Sequence, residues 1–508
     1  MKYRNGVLSA VLGIIQQLLT LSFGLIVPRL FIMTFGSEMN GLLGSLGNLY
    51  SYLALVEAGV GTAAIQALWG PLGRNDKRSV NEIMTATAQW YNKAGFLYLL
   101  GVILISLLYP VTVKTTIPFW TVFTISILSG SGGVINFWVQ GKYLVLLQAE
   151  GKRYVMSIVT MAVYIASNTV KIVLLLNGFD VISIHIGYFI ISLCQMLFYL
   201  YYIKKNYKWL DLKSKSNKLA LNQSGAVFLQ EIAGMICHNT DILVLTYVAQ
   251  DLKAVSVYNL YLIIFGTVEK LFSTFFGSFH YLLGQKYNND KEGYMSMHRI
   301  YEETSMAGSF ALYTIAFLMV TPFMNVYTAG ITDAKYVDEY LAFLFVLMRI
   351  MASSREASSR VISFAGHFRQ MQWRAVLEAA INLSASILLV RKFGIYGVVL
   401  GTIVAYFWRT NDIILYANKH LLKRSCWCTY KIWLLNLVFF ALCLFGSTFV
   451  DLSVTSIPRF FTKGALVGII IALVYFAELS IFHRDSAKFL INAGKKALNK
   501  LHGRVFKS

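Results

Sequence analysis

The chain has 508 residues, 57% of them hydrophobic and only 14% charged, with a formal net charge of +21 and a mean hydropathy of +0.59. A soluble protein of this length divides into domains and carries more charge, so that class is excluded. The positive balance does not indicate nucleic acid, because Lys and Arg sit mostly between apolar runs, where the positive-inside rule expects them.

About fourteen apolar runs long enough to cross a bilayer recur from end to end. They lie near 7–33, 40–66, 89–110, 117–145, 155–176, 181–203, 225–248, 255–281, 300–326, 339–366, 370–390, 395–417, 431–450 and 460–482. The fold class is therefore an all-α polytopic membrane protein. The first run is too long for a signal peptide and reads as a retained span. Arg29 follows Pro28 near its outer end. In the second run Glu57 precedes the small residues Gly59, Gly61, Ala63 and Ala64, which allow close helix packing. Lys171 lies near the outer end of the fifth run.

The basic stretch 204–218 follows the sixth run and suits a surface of anionic lipid. The seventh run places Glu231, His238 and Asp241 at i, i+7 and i+10, an arc of about 80° on one helix face. Acids and a titratable imidazole inside a membrane suit proton or cation coupling, and equally suit hydrogen bonding to a neighbouring helix. The tenth run, LAFLFVLMRIMASSREASSRVISFAG, carries Arg349, Arg355, Glu356 and Arg360. On a continuous helix Arg349, Ser353, Glu356 and Arg360 fall within roughly 60° of one another. A lipid-facing charge costs about 3 kcal/mol at a helix centre, so this stripe should face protein or water. Glu356 and Arg360, at i,i+4, suit a structural ion pair; Arg349 is left without an obvious acid. In the eleventh run Arg374, Glu378 and Asn382 stand at i, i+4 and i+8, which favours a structural Arg374–Glu378 pair. The last two runs precede a basic tail whose Leu490, Ala497, Leu501 and Val505 share one face, as in an interfacial amphipathic helix.

Several segments repeat at a near-constant offset. GSEMNGLLG from Gly36 aligns with AQDLKAVSV from Ala249, Asn75-Asp76-Lys77 with Asn289-Asp290-Lys291, Pro110 with Pro322, Gly151 with Gly366 and Asn168 with Asn382. An offset held over such a distance points to an internal duplication. Six spans keep the orientation of the unit, giving a parallel repeat. The expected division is an N-lobe 1–203, a basic cytoplasmic linker 204–224, a C-lobe 225–418, two extra spans 419–482 and a tail 483–508. Basic residues concentrate in alternate loops, so both termini should be cytoplasmic.

The five cysteines, Cys194, Cys237, Cys426, Cys428 and Cys443, form neither a disulfide framework nor a metal-ligand pattern. GxxxxGK[ST], HExxH and GxSxG are all absent. No catalytic residue, metal or cofactor is assigned.

Three segments look familiar: 26–72 (IVPRLFIMTFGSEMNGLLG…), 239–261 (NTDILVLTYVAQDLKAVSVYNLY) and 365–416 (AGHFRQMQWRAVLEAAINL…). They resemble the Wzx-like oligosaccharide flippases, polysaccharide exporters of the multidrug/oligosaccharidyl-lipid/polysaccharide (MOP) superfamily. The resemblance runs to about residue 425. It implies two six-helix lobes, alternating access, and flipping of a polyprenyl-diphosphate-linked oligosaccharide across a bacterial plasma membrane. The expected partners are that lipid-linked oligosaccharide, anionic membrane lipids and other polysaccharide-assembly proteins. The first span offers Gln16 and Gln17 where drug exporters of the superfamily often place an acid. Arginine supplies bidentate, charge-assisted bonds to phosphate, so Arg349, Arg360, Arg355 and Arg29 are the diphosphate candidates. Asp241, His238, Glu231 and Glu57 are the ion-coupling candidates, and Glu356, Arg374 and Glu378 are assigned to structural pairs. The rivals are a cation-coupled drug exporter, which requires acids to dominate the cavity, and a membrane polysaccharide polymerase or ligase, which requires a sizeable outer loop.

Overall fold

The computed structural model describes residues 2–57, 60–217, 234–235, 239–492 and 495, and every regular element among them is a helix. In chain order these are α1 (Lys2–Leu53), α2 (Val60–Gly73), α3 (Lys77–Thr112), α4 (Phe119–Ile135), α5 (Gly141–Ala149), α6 (Arg153–Leu176) and α7 (Val181–Asn206). There follow α8 (Leu252–Gly277), α9 (His280–Asn289), α10 (Lys291–Tyr327), α11 (Glu339–Ser354), α12 (Glu356–Phe364), α13 (Phe368–Phe393), α14 (Ile395–Tyr416), α15 (Trp427–Ser447) and α16 (Ile457–Phe482).

Ten helices among the described residues are long and apolar enough to cross a membrane, or eleven if the bent pair Ser22–Glu57 and Val60–Gly73 is one span. The chain is a polytopic α-helical membrane protein. The other expected spans differ for physical reasons. The first two form one helical stretch bent at Gly36, whose φ of 83° an L side chain rarely adopts. Half of the seventh lies outside the described residues. The tenth is not continuous: α11 ends at Ser354, Arg355 leaves the helical register (φ −89°, ψ −1°), and α12 begins at Glu356.

The repeat is visible as the same local devices at matched positions. Asp76 caps α3 by accepting from the Ser79 amide, and Asp290 caps α10 by accepting from the Gly293 amide. Pro110 and Pro322 lie inside those two long helices. Gly151 and Gly366 both take positive φ. Asn168 and Asn382 are both buried.

The helices gather into two compact units, Met1–Asn259 with Ile331–Ala334, and Leu260–Gly330 with Lys335–Ser508. In the first, α3 packs on α4, and α1 on α6. After its bend, α1 presents a stripe of small residues to the start of α8. Ser45 accepts from Thr246 at 2.9 Å, and Asn40 donates to Ser256 at 2.7 Å. A Cβ on Gly41 would lie 1.7 Å from the Leu252 carbonyl oxygen. Asp333 caps the bent segment: its carboxylate accepts from the Ser37 amide and hydroxyl, each at 2.7 Å. Burial alone would raise the Asp333 pKa, but these bonds hold it below the ordinary carboxylate value.

In the second unit, the long helix α10 is packed by α11, α15 and α16, and α13 packs on α14. Glu302 and Glu303 on α10 are buried. Glu302 accepts from Arg424 at 2.5 Å and Thr429 at 2.6 Å. Glu303 accepts from Arg299 at 2.9 Å and from Ser486 at 2.6 Å, beyond the end of α16. His483 sits between Glu303 (3.1 Å) and Glu478 (3.8 Å). Of the expected tail helix, 484–492 and 495 are helical, while 493–494 and 496–508 lie outside the described residues.

Gly41→Ala should destabilise the protein by about 1–3 kcal/mol, because backbone rather than a flexible side chain must move. Gly47→Ala, with nothing within 4 Å of its new Cβ, should be neutral. Thermal unfolding of the two purified variants checks this.

A second expectation concerns pH. Burial alone would depress the His483 pKa, but the Glu303 and Glu478 carboxylates hold it above the ordinary imidazole value. A raised folded pKa means the contact stabilises fully below the unfolded value and is lost as pH rises through the folded one. Hydrogen exchange at 484–492 should therefore accelerate with rising pH beyond its intrinsic pH dependence, and His483→Gln should abolish that excess.

Candidate functional site

Intramembrane charge concentrates in the second unit. Arg349 on α11 is buried, and its Nη1 donates to Glu269 Oε2 of α8 at 2.5 Å. The two side chains are 9% and 46% exposed respectively. The guanidinium is thus desolvated, while its carboxylate partner reaches an open surface. Immediately past the helix break, Glu356 accepts from Arg360 Nε at 2.7 Å and also lies 3.3 Å from His280 Nε2. His280 in turn contacts the Tyr301 hydroxyl at 3.1 Å.

The break itself is tied into a longer network. Arg355 donates to Glu378 Oε1 on α13 at 2.8 Å, and its guanidinium lies 5.0 Å from the Tyr406 ring centroid. Arg409 of α14 reaches Glu378 Oε2 at 3.2 Å and Asp412 at 2.8 Å. Arg374 donates to Asp412. The expected Arg374–Glu378 pair along one helix is therefore corrected: each residue pairs across helices. A pair at i,i+4 is worth only a few tenths of a kcal/mol. Glu378 is buried where α13 meets α14, and a buried carboxylate needs charged partners from the facing helix.

The first-unit candidates are set differently. Glu57, closing a short 3₁₀ turn after α1, accepts from the buried Tyr91 hydroxyl. Asp241 is buried and accepts from the Tyr258 hydroxyl on α8. Its neighbour Thr240 exchanges a 3.2 Å hydrogen bond with Tyr52. Arg29 lies one residue after Pro28 in α1, partly buried. The Lys171 ammonium lies 5.0 Å from the Tyr188 ring centroid. Glu231 and His238 lie outside the described residues, so the expected arc with Asp241 is not described.

Sequence reasoning missed Glu269, Arg409 and Asp412. The available signal was simple: each is an ionisable residue inside a predicted span, and such residues are functional or paired by default. Glu269 interrupts IIFGTVEKLF, and Arg409 and Asp412 stand at i,i+3 in FWRTNDI. No cluster of His, Cys, Asp and Glu among the described residues could hold a metal ion.

No protein-family model and no curated protein sequence matches the chain. Solved structures do. The lipid II flippase MurJ in an inward closed conformation aligns at a TM-score of 0.69 and 17% identity, over 94% of this chain and 99% of that one. An inward-facing multidrug resistance MATE family transporter of the MOP superfamily aligns at 0.64 and 14%, over 81% and 96%. A MOP superfamily transporter from Pyrococcus furiosus aligns at 0.53 and 13%, over 82% and 96%. The chain thus shares the fold of MOP superfamily transporters.

Removing Glu378 would leave two cations facing each other at low exposure. Glu378→Ala should cost about 3–5 kcal/mol, as for breaking other buried ion pairs. Glu378→Gln, which keeps the shape and hydrogen-bond acceptor, should cost less. Thermal unfolding of the purified variants gives the order.

Proposed function

We propose that the chain flips a polyprenyl-diphosphate-linked oligosaccharide from the inner to the outer leaflet of a bacterial plasma membrane by alternating access. The observation that carries this reading is the Arg349–Glu269 pair. Its guanidinium is already stripped of water, and its partner is half exposed and so exchangeable. A diphosphate arriving at Arg349 takes over that single Nη1 bond and can engage the rest of the planar fork, and Glu269 is released on its exposed face. The surrounding network supports the same sign of cargo. Arg349, Arg355, Arg360, Arg374 and Arg409 outnumber Glu269, Glu356, Glu378 and Asp412, so the cluster keeps a surplus positive charge. Arg360, 37% exposed and nearer the basic face, meets the diphosphate first. Arg355 and Arg29 complete the candidate set. Fold likeness to transporters, the lipid II flippase among them, supports a carrier rather than a polymerase or ligase. The prenyl chain stays in lipid, and the basic loops, which place both termini in the cytoplasm, rest against anionic headgroups. The repeats 1–203 and 225–418 are the lobes that exchange access.

A second reading, a cation-coupled exporter of small molecules, is favoured by one observation. Glu57 and Asp241 are intramembrane acids, each bonded to a tyrosine hydroxyl. Under the first reading these same acids couple ion flow to flipping.

Arg349→Ala should abolish complementation of a flippase-deficient strain, and Arg349→Lys, which keeps charge but loses the planar fork, should restore it partly. Glu269→Gln should retain activity, because it frees rather than removes the cation. All three proteins should reach the membrane in normal amounts. Full activity of Arg349→Ala returns Arg349 to structural pairing.

A further inference from the structure

We propose that a cavity at the basic end of the first unit is a sugar-binding subsite, engaging the glycan of the lipid-linked substrate before transfer. The glycan's origin rests on the flippase reading above. The cavity has a volume of about 490 Å³, within the ordinary range of ligand sites, and is lined by Trp69, Leu72, Asn75, Lys77, Glu150 and Trp209. It is built from the end of α2, the turn into α3, the end of α5 and the start of the linker after α7.

The walls are positioned by specific bonds. Asn75 takes a left-handed φ of 56° at the turn. Trp209 is fixed through Asn81, whose Nδ2 donates to the Trp209 carbonyl at 3.3 Å and whose Oδ1 accepts from the Asp211 amide at 3.1 Å. The Lys77 ammonium lies 5.7 Å from the Trp209 ring centroid. Glu150 is held by one oxygen: Oε2 accepts from Tyr207 at 2.5 Å and meets Lys152 at 2.8 Å. Its Oε1 and the Asn75 side-chain amide have no hydrogen-bond partner among the described residues. Trp69 is 58% exposed, a large indole face left open.

Ligand class follows from what this lining rejects. A lipid tail would strip water from Glu150, Asn75 and Lys77 without replacing it. An anion would meet the second carboxylate oxygen of Glu150. Lys152, the neighbouring cation, is engaged by Glu150 and Tyr207. A pyranose satisfies every group. Its hydroxyls meet an acceptor at Glu150, a donor and acceptor at Asn75 and a donor at Lys77. Its C–H faces lie against the electron-rich indole faces. Two flat aromatic walls with a few polar groups select sugar rings without demanding one identity. The location fits the order of events, because Arg74, Arg78, Lys152, Arg153 and Lys204 mark this end as cytoplasmic by the positive-inside rule.

The test uses the purified full-length protein in detergent and a panel of free sugars: a hexose, an N-acetylhexosamine and a deoxyhexose. Saturation-transfer NMR should detect ring protons of at least one sugar. Trp69→Ala and Glu150→Gln should each weaken that binding about tenfold, the scale expected for one aromatic or charged contact. Trp120→Ala, 72% exposed on α4, should leave it unchanged. Inorganic phosphate should not compete. Absence of transfer from every sugar, unchanged binding in Trp69→Ala, or displacement by phosphate overturns the proposal. Complementation is read separately. Trp69-dependent sugar binding in a protein that does not complement a flippase-deficient strain would keep the subsite and remove the flippase reading. Complementation at full level by Trp69→Ala, with no sugar bound, would do the reverse.

Discussion

A guanidinium inside a bilayer has to stay partnered. Water is not there to replace a lost bond, and the charge costs kilocalories if it faces lipid. Much of the second unit follows from this. Arg349 ties α11 to α8, Arg355 ties the helix break to α13, and Arg409 and Arg374 tie α14 to α13. Each carboxylate in the set comes from a different place in the chain than its principal arginine, save Glu356 and Asp412, which also serve a neighbour on their own helix. The charges therefore act as cross-links among five helical segments. The Glu302–Arg424 and Glu303–Ser486 contacts extend the same device to α10 and the chain beyond α16.

The first unit solves its polar burial by other means. Its acids meet tyrosine hydroxyls, Glu57 with Tyr91 and Asp241 with Tyr258. Close helix approach rests on small residues such as Gly41, where neighbouring backbone occupies the space of a side chain. The two repeats share caps, prolines and positive-φ glycines, while the arginine network described above lies in the second unit.

Local and periodic features were legible in the sequence. The apolar runs placed most spans, and the repeat aligned Asp76 with Asp290, each of which caps a long helix in the structure. Glu356 and Arg360 pair as their i,i+4 spacing suggests. What escaped was non-local. Glu269 is 80 residues from Arg349, and nothing in either segment alone specifies that meeting. The break at Arg355 escaped because a helical-wheel argument assumes unbroken helix. Nothing like Pro or Gly marks that position, and the network that compensates it is assembled from two other helices, α13 and α14. The misassigned Arg374 pairing has the same origin, since spacing along one helix says nothing about a facing helix with stronger partners.

Exposure of the acid, rather than burial of the arginine, separates structural from exchangeable charge. Arg355 and Arg409 share Glu378, whose side chain is 8% exposed. Displacing that carboxylate would strand it in a dry interior, so those guanidiniums resist giving up their partner. Arg349 is as deeply buried, yet its partner Glu269 is 46% exposed. Released from Arg349, that carboxylate is left on an open face of α8 rather than in the packed interior. Substituting another anion therefore strands no carboxylate in the interior at Arg349, as it would at Arg355 and Arg409. Intramembrane arginines can be ranked the same way, by asking where the displaced carboxylate would go.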